Sequence, residues 1–256
     1  MSASGTVNWY GLLAILAIGV TVWTWSRLAR PEGADRGSLA LVYLAGLAGG
    51  LIGAKIAFLL AEGWAYRADW LALLTGRSVT GALLGGYLAV EGAKRLLGIR
   101  QATGDFFAIV VPLGIAVGRV GCLLQGCCQG VACEPRWWTT MGVDGLPHWP
   151  AAQTELAFNL LFVAWALVAQ RRGWMPGNRF HVYLVAYGLF RLAHEPFRAI
   201  PPLAPRVLGP VTGYQIICVA MVVLGAVRGV QRHRQRRDRT APDPPVAAAG
   251  ALSGRT

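Results

Sequence analysis

The sequence predicts an all-α integral membrane protein with seven transmembrane helices, an external N-terminus and an internal C-terminus. Of its 256 residues, 55% are hydrophobic and only 14% are charged, whereas a soluble domain carries about 25% charged residues. The mean hydropathy is +0.46, and apolar stretches extend along nearly the whole chain. This composition excludes a disordered chain, a collagen-like fibre and a disulfide-rich mini-domain.

The individual spans follow from stretches of roughly 17 to 25 apolar residues, the length that crosses a hydrocarbon core of about 30 Å. Each is predicted to be a helix, because irregular backbone cannot face lipid. The first is expected to remain uncleaved, since residues 1–26 contain no Lys or Arg ahead of an apolar core. The sixth is the weakest by hydropathy, because it is short and ends in polar residues. In chain order the predicted spans are 9–26, 38–61, 78–97, 103–124, 151–170, 180–195 and 208–229.

The distribution of Lys and Arg sets the orientation, since cytoplasmic loops carry the excess of positive charge. Sixteen basic residues lie in the loops after spans one, three and five and in the C-terminal tail, against five in the other loops. The net charge of +12 therefore indicates contact with anionic lipid headgroups and not with nucleic acid. We divide the chain into a seven-span membrane domain, residues 1–230, and a basic, disordered tail, residues 231–256.

Ionisable residues inside the spans are candidate functional residues, because each costs at least a few kcal/mol in lipid. The topology places the main ones in the outer half of the membrane: Lys55, Arg119, Arg191 and Glu195. Tyr187, Arg191, Glu195 and Arg198 share one helical face. One interpretation is a structural ion pair between Arg191 and Glu195, but Arg119 lacks an acidic neighbour within a helical turn. The alternative is an external anion, and forked guanidinium donors suit a phospholipid phosphate.

A glycine-rich segment with four cysteines closes span four and predicts close helix packing and a tight turn: Cys122, Cys127, Cys128 and Cys133. With the predicted orientation these thiols face an oxidising compartment, so disulfides are the preferred expectation. Metal binding at this C-x4-C-C-x4-C spacing is less favoured than a disulfide, and a reactive thiol less still. Cys218 is expected to be a core residue. His148 and His194 lie at the outer face, where a histidine titrates near neutral pH.

Several motifs together resemble the prolipoprotein diacylglyceryl transferase family of the bacterial inner membrane. No single motif decides the assignment, which depends on their order, spacing and shared depth. The motifs cover nearly all of the chain: Trp9-Tyr10-Gly11, Gly104-Asp105-Phe106, a signature from Pro112 through Gly118-Arg119 to Gly130, Pro150 with Glu155, Tyr187-Gly188 with Arg191, Glu195 and Arg198, and Thr212-Gly213-Tyr214-Gln215.

The resemblance implies transfer of a diacylglyceryl group from phosphatidylglycerol to the lipobox cysteine thiol in the signal peptide of a prolipoprotein. On that basis Arg119 and Arg191 hold the lipid phosphate and Glu195 orients Arg191. These three and Tyr10 are the expected catalytic residues, and the expected substrate-binding residues are Arg198, Tyr187, Gly130 and Lys55. No cofactor and no metal are expected. The expected location is the bacterial inner membrane, with several membrane spans.

The chain departs from the family pattern at three positions. The family's His corresponds to Thr80, and the Asn and Glu of its signature correspond to Cys122 and Cys127. Three interpretations stay open: another base such as Glu195 or His194, a mechanism without an essential base at this place, or a relative with lost or changed activity. The alternative function is a non-catalytic membrane protein that binds phospholipid or a lipoprotein, with a disulfide-braced outer loop. A third is an extracytoplasmic thiol or metal protein.

Overall fold

The computed structural model describes residues 9–28, 35–199, 206–208 and 211–240, with side chains left out at 9, 10, 14, 206–208 and 238–240. Two short antiparallel hairpins accompany the helices: β1 (Thr140–Met141) with β2 (Pro147–His148), and β3 (Arg206–Leu208) with β4 (Val211–Thr212). The described residues contain eight α-helices: α1 (Trp9–Leu28), α2 (Arg36–Ala61), α3 (Trp70–Thr75), α4 (Val79–Leu96), α5 (Gly104–Gln125), α6 (Ala151–Arg171), α7 (Arg179–His194) and α8 (Gly213–Thr240).

Seven of these helices coincide with the seven predicted apolar spans, and α3 is an additional short helix. Five are long and apolar enough to cross a membrane: α1 from Gly11, α2, α5, α6 and α8 as far as Arg237. The α4 helix carries Glu91, Lys94 and Arg95 in its last part, and α7 has only 16 residues. The structure thus confirms a mostly helical protein with apolar, membrane-length helices.

The last helix differs from the sequence prediction at both ends. It begins at Gly213, five residues after the predicted start at 208, because β3 and β4 occupy the chain before it. It also continues to Thr240, ten residues into the segment 231–256 that the sequence analysis described as a tail. Residues 241–256 lie outside the described part.

Local capping explains where several helices begin. The side chains of Asp35, Asp69 and Ser78 accept hydrogen bonds from the backbone N–H groups of Ser38, Ala72 and Gly81 at 2.9, 3.0 and 3.3 Å. Each cap satisfies a donor that the first turn of a helix leaves free. At the other end of the bundle, Asp105 of α5 accepts from the N–H groups of Gly177 and Arg179, at 2.6 and 3.2 Å, and so caps α7.

Glycines let α2 and α4 pack with their backbones in contact. A Cβ added to Gly53 would lie 2.8 Å from Cα of Gly85, and one added to Gly49 would lie 2.8 Å from the Gly85 carbonyl oxygen. Aromatic rings also contribute to the core: those of Trp25 and Phe107 join α1 to α5, with centroids 4.8 Å apart. Close backbone contact through small residues is a common way for membrane helices to associate.

Candidate active site

Three arginines and two glutamates meet at the ends of α5, α6 and α7, and we call them the arginine–glutamate cluster. Arg119 Nη2 lies 2.8 Å from Glu155 Oε1, and Arg191 Nη1 lies 3.4 Å from Glu155 Oε2. The second carboxylate, Glu195, accepts at Oε2 from Arg191 Nη2 at 3.0 Å and forms an ion pair with Arg198 Nη1 at 3.5 Å. The predicted residues Arg119, Arg191, Glu195 and Arg198 are therefore brought together.

Glu155 is the centre of this cluster. Its side chain is only 3% exposed, and Oε1 also accepts from the Tyr187 hydroxyl at 2.7 Å. Tyr187, a predicted substrate-binding residue, thus contacts the cluster, but its hydroxyl donates to a protein carboxylate. Asn159, one turn further along α6, donates to the Glu155 carbonyl at 2.8 Å and accepts from Tyr183. This network keeps every hydrogen-bonding atom of the Glu155 carboxylate paired.

Sequence reasoning left Glu155 out of the site and found no acidic neighbour of Arg119 within a helical turn. That remains true along α5, but the structure places the acidic partner of Arg119 on the next helix. A signal was available, since Glu155 is an ionisable residue inside the fifth predicted span and such residues are functional candidates. The cluster holds three guanidinium groups against two carboxylates, so its excess positive charge is one.

Glu62, immediately after α2, is a further carboxylate near this cluster. Burial raises the pKa of Glu62, and the positive charge of Arg198 opposes that rise. Arg198 is the most exposed of the three arginines, with 28% of its side chain accessible, and its guanidinium stands over the Tyr214 ring at 5.8 Å. The cluster therefore opens on the side of Arg198 and Glu62.

Three buried polar atoms near the cluster have no hydrogen-bond partner among the described residues: Arg191 Nε, Glu195 Oε1 and His194 Nδ1. Burying an unpaired polar atom costs about 1–3 kcal/mol, so such atoms are expected to meet a ligand or water. The other nitrogen of His194, Nε2, accepts from Trp149 Nε1 at 3.1 Å. This bond assigns the proton of a neutral His194 to Nδ1, which makes His194 a donor and not a free base.

Gly130 holds the loop after α5 against the backbone of Trp149 and Phe197. Its N–H donates to the Trp149 carbonyl at 3.2 Å, and it pairs with Arg198 in an isolated β-bridge. A Cβ at this position would lie 2.5 Å from the Trp149 oxygen and 2.7 Å from the Phe197 oxygen. Gly130 therefore lies beside the cluster, where only a glycine fits between two strands of backbone.

His148 braces the same loop through both ring nitrogens. Nδ1 lies 2.7 Å from the Gly130 carbonyl oxygen, and Nε2 lies 2.9 Å from Asp144 Oδ1. Two acceptors require two N–H groups, so the imidazolium form fits this site. The Gly130 carbonyl, together with the Asp144 carboxylate, raises the pKa of His148.

All five cysteines lie in described residues and all five are free thiols, so the preferred disulfide is absent from this structure. Gly126, with φ of 66°, ends α5, and the Cys127 N–H donates back to the Cys122 carbonyl at 3.1 Å. These are the features of a Schellman turn, which places residues one after and four before its glycine in contact. Cys128, also left-handed with φ of 60°, follows. The sulfurs of Cys122, Cys127 and Cys128 lie within 4.8 Å of one another.

Lys55 and Thr80 lie apart from the arginine–glutamate cluster in their contacts. The Lys55 ammonium donates to the carbonyls of Leu73 and Gly76 at the end of α3. Thr80 is buried and its hydroxyl pairs with Ser78 at 2.8 Å. Tyr10 is in the first turn of α1, and its side chain lies outside the described residues.

An apolar cavity of about 310 Å³ lies between α1, α2, α4 and α5. Tyr43, Leu83, Phe107 and Ile115 contribute to its wall, whereas none of the three clustered arginines does. The cavity and the charged cluster are therefore two separate features of the bundle.

Comparison with known proteins gives one consistent family. A sequence model of the family described as prolipoprotein diacylglyceryl transferase matches residues 2–230. A protein of Symbiobacterium thermophilum is 26% identical over 239 residues, covering 87% of each chain. One of Azoarcus sp. is 32% identical over 238 residues, covering 86% of this chain and 88% of its own. One of Methylibium petroleiphilum is 30% identical over 248 residues, covering 90% and 93%. Each is named phosphatidylglycerol–prolipoprotein diacylglyceryl transferase.

Proposed function

The chain belongs to the prolipoprotein diacylglyceryl transferase family, and from this premise we propose that it transfers the diacylglyceryl group of phosphatidylglycerol to the lipobox cysteine thiol of prolipoproteins. The family match spans residues 2–230, which includes every residue of the arginine–glutamate cluster. The observation that carries the proposal is the buried Arg191 Nε, a guanidinium donor with no partner among the described residues. An incoming phosphate oxygen supplies the acceptor that this donor lacks.

The cluster is suited to hold a phosphodiester and to stabilise its departure. Arg198 is the most accessible guanidinium and meets the headgroup first, while Arg119 and Arg191 lie deeper, fixed by Glu155. When the glyceryl C–O bond breaks, negative charge grows on the phosphate. Guanidinium donors that are already oriented stabilise that charge without further reorganisation. Glu195 holds Arg191 and Arg198 together, which is the positioning role expected for it.

The proton of the attacking thiol needs an acceptor, because Thr80 has no basic atom. Of the two side chains considered for this role, His194 offers an N–H toward the site, since its Nε2 already accepts from Trp149. Glu195 keeps one buried oxygen, Oε1, without a partner among the described residues. The geometry therefore favours Glu195 over His194 as a proton acceptor on the protein.

We also propose seven membrane-crossing helices in the bacterial inner membrane, with α4 and α7 crossing beside the five longer ones. The N-terminus is outside and α8 ends inside, in accordance with the excess of Arg on that side. In a cysteine-free background, single cysteines replacing Ser4, Gly145 and Ser253 test this. A membrane-impermeant thiol reagent on intact cells is expected to label the first two only. Labelling at 253 would contradict the orientation.

Lysine substitutions test the phosphate-binding role. Arg119→Lys and Arg191→Lys are each expected to reduce transfer from phosphatidylglycerol to a lipobox peptide by at least about 100-fold, because an ammonium lacks the forked donor geometry. Arg136→Lys is the matched control, since Arg136 is 62% exposed and pairs only with Glu134. Near-normal rates in both cluster variants would refute the proposal.

The alternative function, a non-catalytic membrane protein that binds phospholipid or a lipoprotein, is motivated by Thr80 in place of the family's His. The same assay separates the two functions. An inactive wild-type chain that still binds phosphatidylglycerol, beside an active family member as control, would favour the alternative. Complementation of a strain depleted of its own transferase gives an independent answer in cells.

A further inference from the structure

The three sulfurs of Cys122, Cys127 and Cys128, which we call the cysteine cluster, stand directly beside the proposed phosphate site. Arg119 joins the two: its Nη1 lies 3.7 Å from Cys122 Sγ, while its Nη2 lies 2.8 Å from Glu155 Oε1. Cys133, the fourth cysteine of this segment, is outside the cluster and its N–H donates to the Pro147 carbonyl. Three thiols thus converge within reach of one arginine of the active site.

We propose that the cysteine cluster is a Zn²⁺ site with three protein ligands, and that the lipobox thiol of the substrate occupies the fourth position. This inference rests on the proposed transferase function. It assigns the cysteines a catalytic metal that takes the place of the base absent at Thr80.

The geometry of the three sulfurs suits a tetrahedral ion. Zn–S bonds of about 2.3 Å put tetrahedral sulfurs about 3.8 Å apart, whereas the three sulfurs here lie within 4.8 Å of one another. Shifts of about 1 Å or less in side chains bring them to that distance. Three protein ligands with a fourth position left for water or substrate are the usual arrangement of a catalytic zinc site.

Two left-handed residues, Gly126 and Cys128, bring the three ligands together. Gly126 reverses the chain so that Cys127 returns to Cys122. Cys128 then adopts φ of 60°, a left-handed conformation that is uncommon for residues other than Gly, Asn and Asp. Such strain is typically retained where it positions a functional group, and here its effect is to turn a third sulfur toward the other two.

The surrounding charges also suit the site. Zn²⁺ with three thiolates carries a net charge of −1, which would be costly to bury without a counter-charge. The Arg119 guanidinium lies against Cys122, with Nη1 3.7 Å from its sulfur. One of the guanidinium groups proposed to bind the phosphate therefore also stabilises the metal centre.

Zinc supplies what a missing base would otherwise provide. A free thiol has a pKa near 8.5 and is mostly protonated at neutral pH, whereas a thiol that coordinates a metal ion is deprotonated. As the sulfur binds Zn²⁺, the lipobox S–H releases its proton through water to Glu195, the acceptor proposed above. The sulfur electron pair then forms the S–C bond to the glyceryl carbon. The C–O bond breaks with its electron pair on the phosphate oxygen, and glycerol phosphate leaves beside Arg119. The product is a thioether, a weaker ligand than a thiolate, so it dissociates from the metal.

Metal content and a spectroscopic probe test the site in the full-length protein purified in detergent. The wild type and Cys133→Ser are expected to bind about one Zn²⁺ per chain, and each of Cys122→Ser, Cys127→Ser and Cys128→Ser to lose it. Co²⁺ added to the metal-stripped wild type should give the intense thiolate charge-transfer band of a three-thiolate site. A lipobox peptide should shift that spectrum, and the same peptide with serine for cysteine should not.

Several results would overturn the inference: no Zn²⁺ on the wild type, equal Zn²⁺ on the Cys127→Ser variant, binding of Cu⁺ but not Zn²⁺, or a disulfide between two of the three cysteines by non-reducing mass spectrometry. The Co²⁺ titration of the wild type keeps the test valid if a serine variant fails to fold. Full transfer by metal-free protein would overturn the zinc site and leave the transferase function intact. Conversely, an inactive protein with the expected Co²⁺ spectrum and peptide shift would count against the transferase function alone.

Discussion

Replacing Glu155 by glutamine removes the charge on which the arginine–glutamate cluster depends. The carboxylate accepts from Arg119 at 2.8 Å, from Tyr187 at 2.7 Å and from Arg191 at 3.4 Å. A glutamine keeps the shape but has one acceptor oxygen, and its amide nitrogen would face a second donor. The cluster would then hold three guanidinium groups against one carboxylate, Glu195, and Arg119 would lose its ion-pair partner.

The magnitude follows from the two short bonds and the burial. Hydrogen bonds to charged groups contribute about 1.5–3 kcal/mol each, and removing one partner of a buried ion pair costs about 3–5 kcal/mol. We therefore expect Glu155→Gln to lower the free energy of unfolding by about 3–5 kcal/mol. At about 2–4 °C per kcal/mol for a chain of this size, the midpoint of thermal unfolding falls by roughly 6–20 °C.

Thermal unfolding in detergent, paired with the lipid-transfer assay, measures both consequences. The control is Glu134→Gln, because Glu134 is 86% exposed and its ion pair with Arg136 is at the surface, where such pairs contribute about 0–1 kcal/mol. Transfer by the Glu155 variant should fall by about 100-fold, since its arginines lose their fixed position. A melting temperature within about 3 °C of wild type, together with a normal transfer rate, would refute the central role of Glu155.

Two further predictions concern helix packing and the outer loop. Gly53→Ala should destabilise the protein by about 1–3 kcal/mol, because the new Cβ meets backbone atoms of Gly85 at 2.8 Å, whereas Gly50→Ala on the same helix has only an ordinary contact at 3.5 Å and should be neutral or stabilising in the same melting assay. Because the pKa of His148 is raised in the folded state, its bond to Asp144 contributes its full stability below about pH 6.5. This contribution is lost as the pH rises through the folded-state pKa of His148. Hydrogen-exchange protection of residues 140–149 should therefore decrease at alkaline pH, and a wild-type profile no steeper than that of His148→Gln would contradict this.

Much of the fold could be predicted because lipid imposes a length and a composition on each crossing segment. All seven apolar spans correspond to helices, although α8 begins later than predicted and continues through residues that were expected to be disordered. Charge density suggested disorder there, but a helix that begins in an apolar core can extend into its polar end. The short α3 helix has too few residues to be recognised by the length of its apolar stretch.

The site was predicted in part, and the missing part has a clear physical reason. Arg119, Arg191, Glu195 and Arg198 were found from their depth and spacing, and the structure brings them together. Glu155 was not included, because spacing within one helix reveals partners on that helix only. A pair between α5 and α6 depends on how the two helices are placed against each other, which spacing along the chain does not specify.

The cysteines illustrate the same limit and also a missed signal. Cys122 and Cys127 have four residues between them, the upper limit of the usual C-x2-4-C spacing, and metal binding ranked below a disulfide on the sequence alone. Gly126 changes this result, because a helix that ends in a left-handed glycine folds the next residue back onto its last turn. The glycine immediately before Cys127 was the feature that could have indicated the contact.

This turn also determines how the sequence can change during evolution. Whatever side chains occupy positions 122 and 127, the backbone hydrogen bond between them keeps the two in contact. The resemblance drawn from the sequence implies Asn and Glu at these positions in the family, whereas this chain has Cys at both. In either case the two side chains that face each other are of similar chemistry. A lone change would leave a carboxylate or an amide facing a thiol. Positions 122 and 127 are therefore expected to covary among relatives and to be inherited as one unit.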